Sequence, residues 1–424
     1  MLVSFKVKNF LSFKDETTFS LKAASISEHG DENTFRSSVN ELKLLRGAAL
    51  YGANASGKSN LFRAINFVTR FVRSSAKDFQ VKEPIPISTF KLSTQTDKEP
   101  STFEIEFILN DTKYRYEFTV DAEIVHHEAL HIQKKIKEYK VFERIKSHIT
   151  IEEKYSDANK IKPLTRSNAL FLSTAAMLNI QWASEVIGGF EKFRFLGDNL
   201  PPTLQFQNDQ TANMLDDPKF HHQLLKLFKA GDLGFDNIVS ELISLKPEES
   251  SRAFSDSSKK FFFDNKVRIV STLHNRLDEH GNTANQVAFD LNEESAGTKK
   301  YYFLAGPIVE ALYFGNVLIV DEFTSRLHPL LAEQIIKLFH SNTINRNNAQ
   351  LIIVTHNTYL LNEDLYRRDQ IFIVRKDDRY SSKITNLYNA KVRKDATFEK
   401  RYLHDRELGG MPNWDLNKDT FWSE

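Results

Sequence analysis

Cysteine is absent from the 424 residues. That excludes disulfides and thiol chemistry, fits a reducing compartment, and leaves His, Asp and Glu as the side chains able to hold a metal. A surplus of one charge is also missing. The 57 Lys and Arg against 56 Asp and Glu give a net charge of +1, so no chain-wide field selects nucleic acid or an anionic membrane, and any such contact needs a local patch. No apolar run of about 18 residues occurs, and the opening MLVSFKVKNFLSF alternates apolar and charged residues where a secretory leader would carry an apolar block. A cytoplasmic chain without a membrane partner is therefore expected. Internal repeats, heptads, low-complexity tracts and Gly- or Pro-rich linkers are lacking too. What is present, 41% hydrophobic and 27% charged residues, suits a chain that buries a large core in more than one unit.

Within the opening stretch, Val3, Phe5 and Val7 alternate with Ser4, Lys6 and Lys8, the period of a strand with one buried face. A second strand, AALY, runs straight into LYGANASGKSNLF, Leu50 to Phe62. Leu61, Ile65 and Val68 then follow at helical spacing. From about Val81 to Gln133 the text is strand-like, with TFEIEFIL and KYRYEFTV flanking the turn residues NDTK. Helical patterns dominate from about Lys134 to Leu245, broken near Pro201, and strand-like text returns at VRIVSTLH. The runs VLIVDEF and QLIIVTH have the short apolar form of strands buried on both faces of a parallel sheet. The expected organisation is a discontinuous α/β nucleotide domain: 1–75 carries its first part, 76–133 a β-rich lobe, 134–260 a mainly helical insertion, and 261–424 its second part.

Gly52, Gly57, Lys58 and Ser59 fit G-x-x-x-x-G-K-[ST] between a strand and a helix. In such a loop the backbone N–H groups of Gly52 to Asn60, including those of Asn54 and Ser56, and the helix N-terminus meet phosphate oxygens. Lys58 neutralises β and γ oxygens, and the Ser59 hydroxyl binds Mg²⁺. ATP and Mg²⁺ are thus the expected cofactors. VLIVDEF would carry Asp321 and Glu322 to the C-terminal edge of the sheet, Asp321 to hold hydrated Mg²⁺ and Glu322 to polarise an attacking water. LIIVTHN delivers Thr355 and His356 to the same edge, where His356 is expected to sense the γ-phosphate. Ser295, Gly297 and Thr298 precede an apolar helix, and small residues with free N–H groups there make a further anion site, although for the segment taken alone a plain helix cap is the favoured reading.

In this order, the phosphate loop, the Ser-x-Gly-Thr segment, the Asp-Glu strand and the Thr-His strand resemble an ABC-type ATPase head of the SMC and RecF kind. FKVKNFLSF, DEF…LHP and RRDQIFIV…VRKD…EKRYL are similar to the compact bacterial AAA-family ATPases that include RloA, the AriA component of PARIS and the ATPase half of OLD-type proteins. The resemblance implies a mostly parallel central sheet and a homo-oligomer joined head to head through ATP. Ser295 and Gly297 of one copy would touch the γ-phosphate held by Lys58 and Ser59 of another. It further implies a separate effector, often a TOPRIM-like nuclease, and a phage trigger in anti-phage defence. A DNA repair or chromosome-maintenance clamp is the alternative. The match is incomplete: FTSRLHP after Glu322 lacks a D-loop aspartate, ESAGTKK lacks the leucine and second glycine of transporter signatures, and no Q-loop glutamine is assigned.

Two further signals compete with this reading. HEALH, His127 to His131, matches the zinc-hydrolase pattern, which needs a helix with both histidines on one face, but the preceding YEFTVDAEIVH alternates as a strand does. Gln133 to Lys146 gathers six basic residues around Tyr139 and Phe142, a pattern that fits either a DNA-contacting face or a solvated element with its apolar residues inward.

Overall fold

The computed structural model describes residues 1–197, 210–243, 267–393 and 397–404. The expected break at Pro201 and the 244–260 part of the expected helical insertion lie outside the described residues. The chain divides into two units. The first comprises Met1–Asp198, Leu312–Ser325 and Ala332–Glu424, and the second Asn199–Ala311 with Arg326–Leu331.

The first unit contains a six-stranded sheet in the order Phe193–Leu196, Val317–Val320, Gln350–Val354, Gly47–Tyr51, Ile371–Lys376 and Ser382–Asn386. Every neighbouring pair is parallel except the last, which is an antiparallel hairpin. Every residue of the three strands 317–320, 350–354 and 47–51 is buried. This is why they read as unbroken apolar runs rather than as alternation. The same unit holds a seven-stranded antiparallel sheet in the order His148–Ile151, Glu138–Ile145, Val125–Gln133, Thr112–Val120, Ser101–Leu109, Leu2–Lys8 and Thr17–Ser20. The turn between the 101–109 and 112–120 strands places Asn110 and Asp111 at φ 45° and 57°, the paired positive angles whose twist suits a two-residue hairpin.

The helix Lys58–Asp78 joins the two sheets. It buries Leu61, Ile65, Val68 and Val72 at spacings of three and four residues, so one stripe faces the core. Phe62 meets Phe195 of the parallel sheet edge-on at 5.5 Å, and Phe71 meets Phe118 of the antiparallel sheet at 5.8 Å. A phenylalanine-rich core results, running through Phe5, Phe10, Phe103 and Phe190.

The expected boundary at residue 134 is corrected. The 138–145 and 148–151 strands continue the antiparallel sheet, and 193–196 adds an edge to the parallel one. In the basic stretch 133–146 the charges of the 138–145 strand find partners within the sheet, from the same strand or from the 112–120 strand beyond its neighbour. Arg115 reaches Glu138 at 2.7 Å, and Lys140 reaches Glu143 at 2.8 Å. Arg144 points inward instead, its guanidinium donating to the carbonyls of Lys146, Ala169 and Arg166 at 2.7, 2.6 and 3.1 Å.

HEALH lies in the 125–133 strand. Glu128 is fully buried and accepts bonds from the Tyr116 hydroxyl at 2.8 Å and from the N–H groups of Phe171 and Leu172 at 2.7 and 2.9 Å. It therefore serves as the anion at the N-terminus of the helix Phe171–Met177. His127 and His131 are only half-buried, and no group of three or more His, Asp or Glu among the described residues is placed to hold a metal ion.

The second unit contains the helices Gln210–Leu215, Pro218–Ala230 and Ala296–Phe314. It also has a three-stranded antiparallel sheet, Asn237–Ile243, Val267–Leu277 and Thr283–Asp290. Asp217 caps the 218–230 helix by accepting from the Lys219 N–H, and Pro218 sits in its first turn, where its missing N–H costs nothing. No helix among the described residues is long and apolar enough to cross a membrane.

Candidate nucleotide site

Three adjacent parallel strands end together. Val320 pairs with Ile353, and Val354 with Leu50, so Asp321, Thr355 and Gly52 leave the sheet along one carboxyl edge, where ligands of open α/β sheets bind. The loop from Gly52 to Gly57 needs both glycines. Gly52 has φ 153° and a Cβ there would stand 2.1 Å from the Val374 carbonyl, while Gly57 has φ 108° and its Cβ would meet the Ser382 hydroxyl at 2.1 Å. Gly57 is the N-cap of the 58–78 helix, with no side chain capping it and no acidic residue in the first turn. The first N–H groups of that helix accordingly face the loop as donors for an anion. Ser56 is buried and its hydroxyl has no partner, whereas Asn54 is exposed.

Lys58 is buried, and its ammonium group donates to the carbonyls of Gly52 and Ala53 at 2.8 and 3.0 Å. Beside it, the Ser59 hydroxyl donates to Asp321 Oδ1 at 3.1 Å across 262 residues of sequence. A hydroxyl and a carboxylate at this separation are hard oxygen donors, and Mg²⁺ is held by such oxygens. Burial raises the Asp321 carboxyl above its ordinary value against the hydrogen bond from Ser59 and the nearby charges of Arg63 and Lys58. A cation there would favour the ionised form. Ser59, Asp321, the open helix N-terminus and Lys58 thus fit Mg²⁺ and a polyphosphate.

Glu322 follows with φ 51°, an uncommon left-handed geometry for a residue with a side chain, and one that clusters at functional sites. Its Oε1 lies 3.7 Å from His356 Nε2, and both side chains remain about two-fifths exposed. Burial, then the charge of Lys58, lowers the His356 pKa from its ordinary value, which favours the neutral imidazole.

The phosphate loop is braced by residues to which the sequence assigned nothing. The Ser382 hydroxyl donates to the Ser56 carbonyl at 2.6 Å, its oxygen accepts from the Ser12 hydroxyl at 2.7 Å, and the Asn60 amide donates to Ser12 Oγ at 2.8 Å. Ser12 stood in the quoted FLSF, but Ser382 carries no local signal: it reaches the loop through the hairpin of the 371–376 and 382–386 strands. The helix Phe398–His404 adds Glu399, which accepts from the Thr358 hydroxyl at 2.6 Å, and Tyr402, edge-on to Tyr51 at 5.7 Å.

Ser295, Gly297 and Thr298 belong to the second unit, whereas the residues above belong to the first. Ser295 Oγ accepts from the Thr298 N–H at 3.1 Å and lies 2.9 Å from its hydroxyl, capping the 296–314 helix. A Cβ on Gly297 would stand 2.9 Å from the Arg326 carbonyl.

Lys58 gives the site a measurable proton linkage. Burial lowers its pKa to about 8 despite the pull of Glu322 and Asp321. A bound anion favours the charged amine, so the bound-state pKa lies above the free one. Affinity for a polyphosphate such as ATP should be full below about pH 8 and should fall as pH rises above that value. Calorimetry at about pH 9 in two buffers of different ionisation enthalpy should read uptake of roughly one proton on binding. Lys58→Arg, which keeps its charge, should remove that uptake. Absence of uptake in the wild type would refute the assignment.

A parallel sheet that carries a phosphate loop, an Asp-Glu pair and a Thr-His pair at the ends of three adjacent strands defines a phosphate-loop nucleotide domain, an α/β fold with a β-rich antiparallel lobe. The chain belongs to the family described as "AAA domain, putative AbiEii toxin, Type IV TA system", whose model matches residues 48–362. Among solved structures it is similar to the SMC head domain from Thermotoga maritima, at 16% identity and a TM-score of 0.40, covering 91% of this chain and 98% of that one. It is also similar to the Smc head domain with an extended coiled coil from Pyrococcus furiosus, bound to the C-terminal domain of ScpA, at 13% identity and TM-score 0.40, covering 92% and 97%. A third likeness is to cbiO1 from Clostridium perfringens, part of the ABC transporter complex cbiONQ, at 13% identity and TM-score 0.33, covering 96% and 98%. No curated protein matches it significantly.

Proposed function

We propose that the chain binds ATP with Mg²⁺ through Gly52, Asn54, Ser56, Gly57, Lys58, Ser59, Asn60 and Asp321 and hydrolyses it, and that this cycle controls a separate toxic effector. The observation that carries the reading is the convergence of Lys58, Ser59, Asp321, Glu322 and His356 on one sheet edge, with Ser59 at 3.1 Å from Asp321 and His356 at 3.7 Å from Glu322. Mg²⁺, held by Ser59 and Asp321, would supply charge neutralisation for the phosphates. Glu322 takes the proton of the attacking water as its oxygen bonds to the γ-phosphorus. The bond from that phosphorus to the bridging oxygen breaks, ADP leaves with the electron pair, and Glu322 returns its proton to solvent. Neutral His356 donates a hydrogen bond to a γ-phosphate oxygen and registers its presence.

ATP joins two copies head to head in this reading, with Ser295, Gly297 and Thr298 of one copy completing the site on the other. The uncapped loop helix and the small residues at the start of the 296–314 helix support it. The family description names a toxin of a toxin–antitoxin system, which supports action with a second component. A nuclease-like effector in anti-phage defence, released or armed by a phage trigger, is the form proposed. The basic stretch 133–146 gives DNA little support, because Arg144 is buried and Lys140 is paired with Glu143.

Light scattering of the wild type and Glu322→Gln, with and without Mg-ATP, tests this. ATP should double the mass or more, the variant should remain in the larger form, and Ser295→Arg should block its formation. A mass indifferent to ATP would refute the switching model, and ATP-dependent DNA binding that falls steeply with salt would favour a DNA clamp.

A further inference from the structure

Two short segments hold the proposed base and sensor, and they are sewn together between those two residues. The Phe323 N–H donates to the Val354 carbonyl at 3.0 Å. One residue further along each segment, Thr324 Oγ1 and Thr355 Oγ1 lie 2.7 Å apart, and the Asn357 N–H donates to Thr355 Oγ1 at 3.0 Å. Because Thr355 Oγ1 already accepts from that N–H, its own hydrogen is free to be given to Thr324. Thr355 is fully buried, as is Phe323, while Thr324 is half-buried, so loss of the Thr324 hydroxyl leaves a buried hydroxyl on Thr355 short of one partner. Glu322 stands two residues before Thr324, in a left-handed conformation closed by a Ser325 N–H bond to its carbonyl at 3.1 Å. His356 stands directly after Thr355.

We infer that Thr324 is a positioning residue which acts within its own subunit, through Thr355, to hold Glu322 and His356 in the arrangement needed for hydrolysis. Its hydroxyl is bonded to Thr355, which holds no assigned phosphate or Mg²⁺ role. Beyond the last ladder pair, Val320 with Ile353, it adds a side-chain tie to the single backbone bond from Phe323 to Val354 that links the two strand ends. The FTSRLHP segment lacks a D-loop aspartate, and on this assignment its threonine serves the active edge of the same copy rather than a neighbouring copy. The inference rests on the ATPase reading above.

The test compares Thr324→Val, which keeps the shape and loses the hydroxyl, with Thr324→Ser, which keeps the hydroxyl, alongside Thr355→Val and the double valine variant. Thr324→Val should lower kcat by roughly tenfold to a hundredfold, the size of effect a small misplacement of catalytic groups produces. ATP affinity and the ATP-induced change in mass should stay within about twofold of the wild type. Thr324→Ser should recover most of the rate, and the double variant should be no slower than the worse single one, because both remove the same bond. NMR titration of His356 should show its pKa displaced in Thr324→Val and restored in Thr324→Ser, a readout that needs no turnover. The inference is overturned if Thr324→Val keeps full kcat, if the two valine effects multiply, or if the loss appears only in the concentration dependence of assembly. Failure of the ATPase reading looks different: the wild type would lack Glu322-dependent turnover, while the His356 titration would still report whether the hydroxyl pair sets the histidine.

Discussion

Replacing Glu322 by glutamine is expected to lower ATP turnover by roughly a hundredfold to ten-thousandfold, the usual contribution of a positioned general base. Nucleotide affinity should remain within a few fold. The split follows from the different surroundings of two adjacent carboxylates. Asp321 is buried and bonded to Ser59 at 3.1 Å, the place of a metal ligand, so its loss weakens Mg-dependent binding. Glu322 is about two-fifths exposed, makes no contact with Ser59 and faces His356 at 3.7 Å, where water can reach it. Glutamine keeps the shape and the left-handed backbone and removes only the proton acceptor. Single-turnover measurement at saturating Mg-ATP decides the matter. A variant within about threefold of the wild type would mean that another group activates the water.

The second large effect is on stability. Glu128→Ala should destabilise the first unit by about 3–5 kcal/mol, the range for breaking a buried charge pair by removing one partner. The carboxylate is fully buried, with the Arg144 guanidinium 3.6 Å away and itself almost completely buried. Its removal leaves that cation without the Glu128 charge and strands the Tyr116 hydroxyl and two N–H groups at the start of the 171–177 helix. Glu128→Gln keeps one acceptor oxygen and should cost about half as much. Chemical denaturation gives the size, and adding zinc or a chelator should not move the midpoint. A zinc-dependent midpoint would restore the zinc-hydrolase reading of HEALH, and a cost below about 1 kcal/mol would remove Glu128 from its structural role.

The phosphate loop, the Asp-Glu strand and the Thr-His strand were legible because each is a contiguous piece of backbone whose requirements are written in neighbouring residues. Glycines mark the close approach, an apolar run marks a strand buried on both faces, and a carboxylate marks where that strand ends. Alternation likewise placed HEALH on a strand. It failed for 134–151, where lysines and glutamates on the outer face hid the period and the strands looked like part of a helical insertion. Their charges are tolerated only because partners such as Arg115 arrive from another strand.

The sequence by itself therefore determined the local chemistry: a loop built for phosphate, two carboxylates and a histidine at strand ends, and an α/β core. Tertiary structure decided which of these residues meet. Ser59 joins Asp321 across 262 residues, and Ser12 joins Ser382 across 370. Thr324 and Thr355 touch only because their strands are register-matched neighbours. Sheet order and register fix such contacts. They are set by the balance of burial over the whole core, and no window of sequence contains them.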